Sequence, residues 1–289
     1  MESKVKQIKM KSFRLKLIWL AVPLLFFLTF SGCSSSLSRA KVDFARAQVL
    51  DRAFKTEEAT AFYRRSLEEA EKELRKKPSA QAYLIKGWNE VKLGHWSEAE
   101  NSFRLAASFG DNQAESWAKE SSLYGLALSL ENQGMKEAAI RLFTFLGEKG
   151  KFSPVKMSSI GQVVDYNLSL IPGVPSTQQE KLLSECLKIV EKSLIEDASV
   201  GYYHYLLSQI LSYQKKYRES FEEAVMAREL GLPSEKIFRD NDNQMVFCYQ
   251  QLKIGLPPDE WKSFSSLYLA WIKKWGWENE TTPSWKRRT

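Results

Sequence analysis

The side chains able to do chemistry in this 289-residue chain are few: two histidines, three cysteines and some adjacent carboxylates. A metal site needs several such groups converging, and nucleophilic catalysis needs a base beside its nucleophile. His95 follows Gly94 in what reads as a tight turn, and His204 falls within the aromatic run 202–205. Both read as structural. The pairs Glu68-Glu69 and Glu222-Glu223 lie where helices turn them to water. The sequence has no Gly-rich phosphate loop, no G-x-S-x-G elbow, no H-E-x-x-H and no C-x-x-C. No cofactor and no metal are implied, and the expectation is binding without catalysis.

The third cysteine, Cys33, has a different setting. Lys4, Lys6, Lys9, Lys11, Arg14 and Lys16 precede an uninterrupted apolar run of 14 residues, 17–30, which leads into Phe30-Ser31-Gly32-Cys33. A basic start, a short apolar stretch and small residues make a secretory signal, whereas a spanning helix needs roughly 20 apolar residues. An uncleaved membrane anchor is the alternative. The segment resembles the signal and box of a bacterial lipoprotein. The resemblance implies cleavage before Cys33, acylation of that thiol, and a mature chain held on lipid. Ser34 stands where some bacteria place an inner-membrane retention aspartate, so the resemblance favours the outer membrane, facing the periplasm or the surface. The tether 33–38 spans at most about 20 Å.

The formal charge of +7 points to nucleic acid only until it is located. Removing residues 1–32 takes away six of 42 basic and one of 35 acidic residues, leaving 36 against 34, a balance of +2. No basic patch with interleaved aromatics remains, and nucleic-acid binding is excluded.

The elements that must position any site are visible as a repeat. Residues 80–107 read as two helices around Gly94, with Gly87 and Ala99 where the helices cross, Ser97 and Glu100 as a capping box, and Phe103 behind. Ala59, Ala99 and Ala139 are 40 residues apart, and so are Tyr63, Phe103 and Phe143. Gly87, Ala99 and Phe103 match the tetratricopeptide pattern, with Tyr83 in place of its tryptophan and Lys86 and Glu90 departing from it. The chain therefore resembles a tetratricopeptide (TPR) repeat protein. That implies an all-α fold, a right-handed superhelical array of helical hairpins. Helices are expected at 39–54, 56–77, 153–170 and 177–194, with hairpins at 117–150 and 201–230. Pro172 and Pro175 break the fourth pair. The array is expected over 39–231, C-terminal capping helices over 232–277 and a disordered tail over 278–289. Trp261, Phe264, Tyr268, Trp271, Ile272 and Trp275 form one helical stripe, read as the cap of the last apolar face. Cys186 and Cys248 are compatible with a disulfide in an oxidising compartment, or with two buried thiols.

In such arrays the first helices line a concave surface. The side chains expected there are Leu84, Trp88 and Lys92, then Tyr124, Leu128 and Asn132, then Tyr205, Gln209 and Tyr213. An aromatic lining with scattered polar groups suits an extended peptide or a protein helix. The alternative is that Trp88 and Tyr124 pack against neighbouring hairpins. The expected function is a lipid-anchored scaffold for another envelope protein. A solute-binding lipoprotein serving a transporter and an accessory factor for outer-membrane or cell-wall assembly are its rivals.

Overall fold

The structure, a computed structural model, describes residues 35–109 and 116–275. The leader 1–32, Cys33 and the tail 278–289 lie outside the described residues, which contain twelve α-helices and no strand. They form two compact units, 35–166 and 167–275. The first unit contains α1 (Ser36–Arg52), α2 (Thr56–Lys76), α3 (Ala80–Lys92), α4 (Trp96–Phe109), α5 (Ser116–Asn132), α6 (Lys136–Lys149) and most of α7 (Ser153–Leu170). The second contains α8 (Ser176–Glu196), α9 (Gly201–Tyr213), α10 (Tyr217–Leu230), α11 (Glu235–Gly255) and α12 (Pro258–Trp275).

In the first unit each helix packs on the next from α1 to α6, and the first helices of successive hairpins, α1, α3 and α5, also touch one another. Small side chains allow this. Ala47 and Ala59 are buried in the first hairpin, Gly87 and Ala99 in the second, and Ala127 and Ala139 in the third. Phe103 of α4 is wholly buried. A Cβ on Gly87 would come within 2.7 Å of its ring, and one on Gly125 of α5 within 2.4 Å. One aromatic ring thus occupies the space that two glycines vacate, one in its own hairpin and one in the next.

Two helix starts differ from expectation through capping. The Ser-rich stretch read as tether starts the first helix: the Ser35 hydroxyl accepts from the backbone N–H of Ser38, and α1 begins at Ser36. Serine suits a flexible tether and an N-cap equally well, and the cap prevails. In the second hairpin, α4 starts at Trp96, with the Ala99 N–H bonded to the His95 carbonyl. The Ser97–Glu100 capping box is therefore displaced, and Glu100 instead accepts from Arg104 and Gln133.

In the second unit the aromatic stripe of α12 is core. Phe264, Tyr268 and Trp271 are buried. The Phe221 ring of α10 lies 5.2 Å from Phe264, and Tyr249 of α11 stacks on Tyr268 at 3.7 Å. At the crossing of α9 and α10, serines replace glycine and alanine, and the Ser220 hydroxyl donates to the Ser208 carbonyl at 2.7 Å. Cys186 and Cys248 are both buried thiols and are not joined by a disulfide.

The turns inside the hairpins share a left-handed residue. It is Gly94 (φ 80°) and Gly134 (φ 84°), but Phe54 (φ 59°) in the first hairpin and Lys215 (φ 60°) between α9 and α10. Phe54 stands 40 residues before Gly94, in a conformation that costs a non-glycine residue about 1–2 kcal/mol. Its side chain is 93% exposed and contributes no packing that offsets the strain. Phe54→Gly is expected to raise stability by roughly 0.5–1 kcal/mol, measured as a shifted urea midpoint at unchanged slope. A loss of stability would show that the ring packs in solution.

Candidate protein-binding face

The first helices of the repeats carry equivalent side chains at 40-residue intervals, and their exposure grades along the helices. Phe44, Leu84 and Tyr124 form one row, Gln48, Trp88 and Leu128 the next, and Arg52, Lys92 and Asn132 the third. Leu84 is buried in the core, Trp88 and Leu128 are half-buried, and the third row is exposed. Trp88 meets Phe103 edge-on at 5.2 Å and Tyr124 at 6.4 Å. Tyr124 meets Phe143 at 5.5 Å, and its hydroxyl bonds to Gln162 and Ser158 of α7. Burial pushes the Tyr124 phenol above its ordinary range. Both aromatics brace adjacent hairpins and keep part of their surface in solvent.

Lys92 is engaged rather than offered. Its ammonium contacts Asp51 of α1 at 2.8 Å and stands 5.8 Å from the Tyr63 ring. The Lys92 hydrogen bond, opposed by partial burial, holds the Asp51 carboxyl below the usual range. The Tyr63 hydroxyl donates to the same carboxylate at 3.2 Å. Burial first, and the Asp51 charge next, push that phenol well above its ordinary range. The Asn132 amide donates to the Leu128 carbonyl at 2.9 Å.

The second unit presents its own set. Tyr205 is buried, Gln209 donates to the Tyr205 hydroxyl at 2.7 Å, and Tyr213 is exposed. Of the nine expected face residues, Leu84 and Tyr205 therefore belong to the core and have no surface for a partner. Both sit one position beyond the small-residue stripe, where neighbouring helices close over a side chain. His204 is structural: its Nδ1 lies 2.6 Å from Glu223 and its Nε2 3.0 Å from the Ala198 carbonyl. His95 is exposed in its turn and lines a cleft of about 370 Å³ with Arg64, Glu68, Glu71 and Lys92.

A polar knot beneath this face involves the two residues that break the repeat pattern. Lys86 contacts Glu90 at 2.6 Å and Glu71 of α2 at 3.1 Å. Ser102 of α4 donates to the other Glu90 oxygen at 2.6 Å. Next to it the Asn89 amide donates to Ser66, whose hydroxyl donates to the Ala40 carbonyl of α1. Four helices are tied through buried polar atoms. Lysine followed four residues later by glutamate is a pairing signal on a helix, and it marks these two departures as mutually compensating.

Hairpins crossing at small residues, each with a bulky side chain behind the crossing, define an all-α, tetratricopeptide-like repeat protein. No family model matches the sequence, and no curated protein does. Among solved structures the chain is similar to YrrB, described as a TPR protein with an unusual peptide-binding site. Identity is 18% over 69% of this chain and 90% of that chain, with a TM-score of 0.36. It is also similar to Pseudomonas aeruginosa PilF, at 14% identity over 79% of this chain and 97% of that one, with a TM-score of 0.45. Both likenesses are distant, and the fold assignment rests on the packing described above.

Glu90 is 2% exposed, while the Lys86 side chain keeps 23% of its surface in water. Glu90→Ala is expected to cost roughly 2–3 kcal/mol, less than a fully enclosed pair because of that exposure. The double variant Lys86→Leu/Glu90→Met is expected to lie within about 1 kcal/mol of the parent. Equal losses for the two variants in denaturant melts would show that the pair does not act as a unit.

Proposed function

We propose that this chain is a binding scaffold with no chemistry of its own, held on a bacterial membrane through an acylated Cys33. The first-helix layer of residues 35–166 takes an extended peptide or a helix of another envelope protein. The supporting observation is the row Trp88–Leu128, with Tyr124 beside it: large apolar side chains partly exposed on a rigid layer, bordered by exposed Asn132. Aromatic anchors of this kind carry most of the energy of protein interfaces, and their packing on Phe103 and Phe143 fixes them before a partner arrives. The outer membrane is the proposed location.

The test is affinity capture from detergent-solubilised envelopes with the parent and two variants, Leu128→Lys and Trp88→Ala/Tyr124→Ala. Each variant is first checked for parental helicity and a cooperative melt. A discrete set of proteins retained by the parent and reduced at least tenfold by Leu128→Lys supports the reading. Capture of the same proteins by all three chains refutes the proposed face.

A further inference from the structure

The outward side of α1 is not explained by the fold or by the proposed binding face. Val42 and Val49, seven residues apart and so on one helix face, are 47% and 63% exposed. Arg46 lies between them and is exposed, with its guanidinium 4.5 Å from the centre of the Phe62 ring of α2. The acidic residues of the helix face elsewhere: Asp43 is buried against Arg65 of α2, and Asp51 is held by Lys92. Immediately beyond the helix stands Phe54, 93% exposed, in a left-handed conformation that the next two hairpins give to glycine. Three apolar side chains in water, one of them held there against backbone strain, with Arg46 among them, make a surface suited to a lipid interface.

The chain leading into α1 sets the geometry. Ser36 is three residues after Cys33, so the helix starts within about 10 Å of an acylated cysteine. Seventeen residues carry α1 about 25 Å to the Phe54 turn. Both ends reach lipid together only when the helix axis lies along the membrane surface.

We propose that α1 lies flat on the bilayer, with Val42, Val49 and Phe54 in the boundary between headgroups and acyl chains, and Arg46 beside them on lipid phosphates. This rests on the anchoring through Cys33 proposed above. It makes the first hairpin a membrane-facing foot and fixes how the binding face is presented to partners, which a tether alone does not do. A second copy of the chain packed on the same face is the competing occupant.

The experiment uses the mature chain reconstituted into vesicles of phosphatidylethanolamine and phosphatidylglycerol. A polarity-sensitive dye is attached to Ala53→Cys, beside Phe54, or to Met135→Cys, at the corresponding turn of the third hairpin. The parent, whose Cys186 and Cys248 are buried, is the labelling blank. The mass of the Cys33 peptide is read in the same samples. Acylated Cys33, a blue shift and lipid-borne quenching at Ala53 but not at Met135, and loss of both signals on adding Val42→Glu/Val49→Glu, support the proposal. Acylated Cys33 with no shift at Ala53 overturns it and leaves the anchoring reading standing. Unmodified Cys33 with no shift overturns both. A shift that follows protein concentration in detergent without vesicles assigns the face to a second copy and overturns the proposal.

Discussion

The first unit depends on the ring of Phe103 filling the space left by Gly87 and Gly125. Helices pack closely where side chains are small, and a bulky group must then fill the gap those residues leave. Here one buried ring serves two crossings. It closes α3 on α4 within a hairpin and seats α5 of the next hairpin on the pair. A hairpin alone cannot bury its apolar side, so the bridging contact is what turns separate rods into a continuous core. Trp88 is braced on the same ring and Tyr124 on Phe143 of the next hairpin, which is how core packing comes to define the geometry of the candidate face.

Beside that apolar bridge runs a polar one. Lys86, Glu90, Ser102, Asn89 and Ser66 join four helices at a level where the repeat pattern asks for apolar residues. Although the buried Asn89 Oδ1 accepts no hydrogen bond, the directed bonds of this knot constrain the register of neighbouring helices more tightly than interchangeable apolar contacts do. Arg228 and Asp242 form a buried ion pair in the second unit, with the guanidinium over the Phe238 ring at 4.2 Å. There too the pairing falls between helices, α10 and α11.

Much of this architecture was legible from spacing. The 40-residue interval between Ala59, Ala99 and Ala139 located three hairpins, because the crossing tolerates only small residues. The interval between Tyr63, Phe103 and Phe143 located the bulky groups behind them. The aromatic stripe of α12 was recognisable from its helical spacing, and its Phe264, Tyr268 and Trp271 are buried in the second unit. What remained hidden involved residues with two physical roles. Ser35 can be tether or cap, and Leu84 and Tyr205 can line a surface or lie beneath a neighbouring helix. Only the distance to the next element decides. The strain at Phe54 was hidden too, although its 40-residue offset from Gly94 carried the signal.

Hydrogen exchange followed residue by residue in a Phe103→Ala variant tests the central claim most directly. The account predicts a loss of protection shared by α3, α4 and α5, since one ring holds all three, with a global cost of roughly 3–5 kcal/mol. Loss confined to α4, with α3 and α5 protected as in the parent, would contradict it.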